Sequence, residues 1–200
     1  MIDLFSSKDY NKHMISCVIL SAGESLRFGT PKALANINGT NAITLIQNNL
    51  LKTDIDEIII VLGAHAQAIT PHVFNHKKVR LVYNKNYKFG QTSSFQTGIC
   101  ATNPSSEGTF MLPVDCPFVS IETYQLLLKT FTRSKPGILL PAINNKRGHP
   151  PVFNHTLNKD ILALPTDQGI NTLFHKYPPG ILKVNDANIL KTFNTPDDLR

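Results

Sequence analysis

The stretch Leu20-Ser21-Ala22-Gly23-Glu24-Ser25-Leu26-Arg27-Phe28-Gly29-Thr30-Pro31-Lys32 sets two glycines, an arginine and a lysine directly behind an apolar, β-branched run from Ile15 to Leu20. Such a run reads as a buried strand, and glycines just past a strand let the backbone come close to a ligand. Loop amides, Arg27 and Lys32 would then converge on anionic oxygens, so the segment reads as a cradle for a polyphosphate. Pro31 fixes φ beside Lys32, which is expected at the surface on a stiffened turn and so loses less freedom on meeting a phosphate. The spacing is not that of a P-loop, because two residues separate Gly29 from Lys32. Nor is it a G-x-G-x-x-G dinucleotide fingerprint.

Two more segments carry chemistry. Leu112-Pro113-Val114-Asp115-Cys116-Pro117-Phe118 puts a carboxylate just past a second buried strand. Mg²⁺ commonly takes one or two protein carboxylates and completes its shell with phosphate oxygens and water, so Asp115 is a candidate ligand; the other use for it is to cap a helix near Ser120. Asn84-Lys85-Asn86-Tyr87-Lys88-Phe89-Gly90-Gln91-Thr92-Ser93-Ser94 leads from a strand through a polar loop and a glycine into a helix. A helix amino terminus offers free N–H groups, while Thr92 or Ser93 could equally serve as its cap.

These segments need a scaffold, and the chain supplies one. Strand-like runs at Ile15 to Ser21, Glu57 to Leu62, Val79 to Asn84, Thr109 to Val114 and Gly137 to Pro141 alternate with helical patterns near Ala42 to Lys52, Ala64 to Val73, Ser93 to Ala101 and Ile121 to Thr132. Alternation of this kind predicts an α/β domain, a mostly parallel sheet covered by helices on both faces. Ligands of open sheets bind outside the carboxyl ends of the strands, so the three segments are expected on one edge. At 200 residues the chain suffices for one such domain without a disulfide or metal staple. Residues 1–14 are expected to be a flexible tail and residues 15–200 the domain.

A formal charge of +6 and a pI near 9.3 suit anionic ligands, but the Lys and Arg residues are too scattered to argue for nucleic acid. Cys17, Cys100 and Cys116 stand far apart with no C-x-x-C pair, which indicates neither a zinc site nor a disulfide framework and fits a reducing cytoplasm. No run approaches the ~18 apolar residues of a membrane span.

The first segment resembles the signature L-x-[AG]-G-x-S-x-R-[MF]-G-x-P-K of the MobA-like nucleotidyltransferases, whose cytidylyltransferase branch serves the molybdenum cofactor. The resemblance runs on through the chain. Asn84 to Ser94 is similar to the family's N-x-x-x-x-x-G-[MQ]-x-[ST]-S, and Leu112 to Pro117 to its L-x-x-D-x-P, with Val114 where glycine is common. Phe193-Asn194-Thr195-Pro196-Asp197-Asp198-Leu199 is similar to the closing [DN]-x-[DN]-T-P-[ED]-[ED]-L, though Thr192 departs at its first position. Arg147-Gly148-His149-Pro150 matches the R-G-H-P of the cytidylyltransferase branch. Asp167-Gln168-Gly169-Ile170-Asn171 matches its G-D-x-G-[AI]-R less fully, with Thr166 for glycine and Asn171 for arginine.

What the resemblance implies is a single Rossmann-like, three-layer domain of the nucleotide-diphospho-sugar-transferase type that transfers CMP from CTP to molybdopterin or its molybdenum-loaded form. Leu20, Ser21, Ala22, Gly23, Arg27, Lys32, Asn84, Gly90, Ser93, Ser94 and Asp115 would bind the nucleotide, with Arg27, Lys32 and Asp115 catalytic. Asp115 and Asn194 would hold Mg²⁺, and Arg147, Gly148, His149, Asp167 and Gly169 would line the acceptor pocket. A molybdenum hydroxylase apoenzyme is an implied recipient. Two alternatives stay open: a transferase using GTP or another triphosphate, or acting on a sugar or polyol phosphate, and a non-catalytic nucleotide- or cofactor-binding delivery module.

Overall fold

The computed structural model describes residues 13–199, so the first twelve positions of the expected tail lie outside the described residues. His13 pairs with Glu107 at 2.8 Å, and Met14 already begins the first strand. That strand, β1 (Met14–Ser21), shows how the chain builds its layers. Successive side chains of a strand point to opposite faces. Ile15, Cys17 and Ile19 accordingly pack with one set of helical residues, while Val18 and Leu20 pack with another.

After β1 come a short hairpin, β2 (Asn36–Ile37) with β3 (Thr40–Asn41), and α1 (Ala42–Leu51), capped by Asn41, whose side chain accepts from the Thr44 amide. β4 (Glu57–Leu62) pairs parallel to β1 and is buried throughout. The predicted helix from Ala64 to Val73 shrinks to one turn, α2 (Ala66–Ile69), followed by a 3₁₀ turn over Thr70–His72. Pro71 explains the difference, since it has no N–H to continue the i→i−4 ladder. β5 (Val79–Tyr83) closes that edge of the sheet; α3 (Gln91–Ala101) and β6 (Ser106–Pro113) follow, and β6 flanks β1 on its other side. α4 (Ile121–Ser134) buries Thr123, Tyr124, Leu127, Leu128 and Phe131, the three-and-four spacing of one apolar face.

The remaining strands were not read from the sequence beyond β7 (Ile138–Ile143). β8 (Lys146–Arg147) pairs with β7. β9 (Val152–Asn154) runs antiparallel between β6 and β7; α5 (Asn158–Ala163) and α6 (Leu173–Lys176) lead to β10 (Gly180–Lys183), parallel to β7. The sheet order is β10-β7-β9-β6-β1-β4-β5, mostly parallel. On one face α1 contributes Ile43, Ile46 and Leu50, and α4 Tyr124, Leu127 and Phe131. On the other lie Phe95 and Ile99 of α3 and Ile161 of α5. Gly98 is what lets α3 lie directly on β1, because a Cβ there would stand 2.2 Å from Val18 Cγ1.

The arm after β10 is stitched back to α4 by Asp186. Its Oδ2 accepts the Ser120 amide at 2.9 Å and the Thr123 hydroxyl at 2.9 Å, and its Oδ1 the Asn188 amide. Burial pushes this carboxyl upward, but the hydrogen bonds prevail and hold its pKa below the usual value. A depressed carboxyl contributes stability that is fully present above its unfolded pKa and is lost as pH falls through its folded one. Asp186→Asn should therefore cost on the order of 1 kcal/mol at neutral pH, a figure discounted for partial exposure. Thermal melts of the two proteins should converge as pH falls below the ordinary carboxylate range; a gap that is independent of pH would remove the carboxylate from this role.

Candidate active site

The cradle folds around Ser25, a non-glycine residue at φ 54°. Its carbonyl accepts the amides of Phe28 (2.9 Å) and Gly29 (3.1 Å), and its hydroxyl accepts the Lys32 amide at 3.1 Å. Phe28 turns inward against Phe193, ring centroids 5.4 Å apart and edge to face, in a small cluster with Ala35, Ile37 and Ala42. One apolar anchor thus pins the loop while Arg27 beside it stays exposed.

Lys32 does not lie in solvent as expected: its side chain retains 15 % exposure. Its ammonium donates to Asp115 Oδ2 at 2.8 Å and to Asn194 Oδ1 at 2.9 Å, and stands 5.9 Å from the centroid of the Phe193 ring. Arg27 Nη2 reaches the same Asn194 oxygen at 3.3 Å. The opposing partners are held by backbone. The Phe193 amide donates to the Asp115 carbonyl at 3.2 Å, and Asp198 Oδ2 accepts the amides of Asn194 (2.6 Å) and Thr195 (2.8 Å). Asp115 does not cap α4, a role Ser120 fills. One charged and one neutral oxygen meeting at a point is a donor pair that fits Mg²⁺ or Mn²⁺ completed by phosphate oxygens and water.

A cleft of about 460 Å³ opens at the carboxyl ends of the strands, lined by residues 20–27, Lys32, Tyr87, Gly90, Gln91, Ser94 and Asp115. Leu20, Ser21, Ala22, Gly23, Arg27, Gly90 and Ser94 all reach it. Ser21 Oγ is buried at its wall without a hydrogen-bond partner. Asn84 and Ser93 do not line the cleft. Asn84 is 3 % exposed and donates to the hydroxyls of Ser93 (3.0 Å) and Ser94 (3.1 Å), while Ser93 donates to the carbonyls of Asn86 and Gly90. These two residues hold the loop in shape from behind. Neither Thr92 nor Ser93 caps α3; Gly90, at φ 93°, takes the cap position, a left-handed conformation that glycine adopts at no steric cost.

A second cavity of about 290 Å³ unites the two other segments. Arg147, Gly148, His149 and Gly169 line it beside Met111, Leu140, Phe153 and Phe174. Asp167 is exposed and does not line it. Gln91 lines both cavities. It was missed in the sequence, although it follows Gly90 at the first turn of α3, where a side chain faces whatever the helix terminus binds. Thr92 Oγ1 donates to the Gln168 carbonyl at 2.6 Å and so fastens the two cavities' walls together. His149 Nδ1 is buried without a partner, and burial lowers the pKa of the ring against the pull of the Asp115 charge.

A profile of the MobA-like NTP transferase domain matches residues 17–181. The chain belongs to this family. It is a nucleotidyltransferase, built as a single α/β domain on a mostly parallel sheet. This transferase is 27 % identical over 183 residues to nicotine blue oxidoreductase from Paenarthrobacter nicotinovorans, covering 87 % of each chain. It is 30 % identical over 145 residues to a probable molybdenum cofactor guanylyltransferase from Natranaerobius thermophilus, covering 70 % of this chain and 64 % of that one. Rv0371c from Mycobacterium tuberculosis H37Rv superimposes with a TM-score of 0.81 at 23 % identity, over 93 % of this chain and 95 % of that one. The same protein in complex with manganese gives 0.77 at 22 % identity, over 93 % and 95 %. Among the described residues of the transferase no helix is long and apolar enough to cross a membrane.

Phe193 carries the geometry of the site, being fully buried and packed on both Phe28 and Phe118. Phe193→Ala should destabilise the transferase by about 3–5 kcal/mol, the cost of an emptied aromatic site. Urea unfolding measures it; a loss under 1 kcal/mol would mean the arm packs without this anchor.

Proposed function

We propose that the transferase moves CMP from CTP to a molybdopterin-type acceptor with Mg²⁺ and releases pyrophosphate. The observation that carries the reading is the pair of cavities meeting at Gln91, one walled by Arg27, Lys32 and Asp115, the other by aromatic and apolar side chains with Arg147 at its edge. An oxygen of the acceptor's phosphate attacks the α-phosphorus in line, the bond from that phosphorus to the bridging oxygen breaks, and pyrophosphate leaves with the electron pair. A phosphate acceptor is already anionic, so no general base is required. Positioning and charge neutralisation do the work. Arg27 and Lys32 neutralise the developing charge, and Asp115 with Asn194 would hold the metal, which would supply further charge neutralisation. The manganese complex of Rv0371c supports a divalent ion of this kind.

The choice of CTP rests on Ala22. Ala22 lines the cleft, 3 % exposed, and its carbonyl is taken by the Ala64 amide at 3.0 Å, which fixes the wall at this point. A methyl here crowds a purine more than a pyrimidine. The acceptor class rests on the second cavity, whose Phe153, Phe174, Met111 and Leu140 suit a flat heteroaromatic ring better than a sugar or polyol. GTP is the strongest rival nucleotide, since one relative is named a guanylyltransferase. A recipient molybdenum hydroxylase and a cytoplasmic setting belong to the same reading; the free buried thiols of Cys17 and Cys116 suit a reducing compartment.

Lys32→Ala should lower turnover roughly 100-fold or more, since loss of one preorganised donor costs about 2.7–4 kcal/mol. Single-turnover kinetics on the folded variant measure this, and near-normal rates would take Lys32 out of the reaction. The assignment as a whole is tested by pyrophosphate release with CTP, GTP, ATP and UTP, each with Mg²⁺ and molybdopterin. CTP should lead, by no more than about 10–200-fold for a filter of one methyl, and Ala22→Gly should narrow the gap. A lead for GTP or ATP overturns the cytidylyl choice alone. No release with any triphosphate would favour the non-catalytic nucleotide- or cofactor-binding module instead.

A further inference from the structure

We propose that Lys32 guards the metal seat: its ammonium occupies the point where Asp115 and Asn194 converge and yields that point only when a triphosphate offers it other oxygens. The inference rests on the site reading above and goes beyond it, because it makes metal and nucleotide enter together rather than independently.

The geometry leaves little room for a second cation. Asp115 Oδ2 and Asn194 Oδ1 lie 2.8 and 2.9 Å from the one nitrogen. They are the oxygens a divalent ion would need. Arg27 adds a second positive group 3.3 Å from the Asn194 oxygen. The ring of Phe193, itself immobilised in the core, lies 5.9 Å from the ammonium and offers its cationic head a further favourable surface. The backbone of Lys32 is fixed through its amide to Ser25 Oγ, so only the side chain need move.

The way out is equally defined. Lys32, Arg27 and Asp115 all line the 460 Å³ cleft, so a triphosphate seated there would bring oxygens within reach of the ammonium. Transfer of the ammonium to those oxygens frees Asp115 and Asn194 at the moment when phosphate ligands for the metal have arrived. A metal alone must instead displace the ammonium from Asp115 and Asn194 with no phosphate oxygens there to receive it. By linkage the two ligands then assist each other's binding by the same factor.

The test is Mn²⁺ binding to the purified full-length chain, followed by the electron paramagnetic resonance signal of the free ion, with and without α,β-methylene CTP. Without nucleotide, Lys32→Met should bind Mn²⁺ at least about fivefold more tightly than the wild type, the low end of ordinary coupling between sites. The analogue should tighten Mn²⁺ less in Lys32→Met than in the wild type by that same factor. Lys32→Gln, neutral but still a donor, should behave like Lys32→Met and replaces it if the methionine variant fails to fold. Lys32→Arg, which keeps the charge, should bind Mn²⁺ as the wild type does. Unchanged or weaker Mn²⁺ binding in the neutral variants, or equal tightening in Lys32→Arg, would overturn the guard while leaving the metal seat in place, provided Asp115→Asn still weakens the metal. Indifference to Asp115→Asn would instead remove the seat itself, and the guard with it.

Discussion

A strand delivers its chemistry at its ends, and a parallel sheet has only one edge where several carboxyl ends can meet. β1 ends at the cradle, β4 at the loop carrying His65, β5 at Asn84 and β6 at Asp115, so four segments distant in sequence open onto a single cleft. The antiparallel β9 would seem to break the pattern. Its reversed direction instead brings its amino end to the same edge, and with it Arg147 to Pro151. The second cavity exists because one strand is turned around. Had β9 run parallel, these residues would have been delivered to the opposite edge of the sheet.

Much of this was legible in the sequence, for reasons that differ from element to element. β1 and β4 are continuous apolar runs because both faces of a central strand are covered, and they announce themselves without context. The cradle could be read because strand, glycines, arginine, proline and lysine each have a separate physical use there. Asn84 and Ser93 were harder. A polar loop beside a helix terminus invites a ligand, yet their side chains bond one another's neighbourhood, and nothing in residue type separates a group that faces a cleft from one that braces it. β8, β9 and β10 are two to four residues long. Segments so short have too few positions to show a period, and their pairing is decided by the sheet already formed.

Lys32 shows a different limit. Its place on a stiffened turn was readable, but the partner of its ammonium was not, because that partner comes from the far end of the chain. The sequence motifs had divided the labour, lysine to phosphate and Asp115 with Asn194 to metal. The structure joins all three at one point. Polar groups brought together by the fold compete for one another as readily as for a ligand, and such competition has no signature in a list of motifs.

Lys32 and Asn194 are 162 residues apart in sequence, and the fold makes them neighbours. On the ribosome, which adds ~5–20 residues per second, the cradle, the sheet and Asp115 are all synthesised before Asn194 exists. A chain that stops before Phe193 lacks the oxygen that faces Lys32 and the ring that closes the cluster around Phe28. The contacts around Lys32 are completed only once this segment has been made.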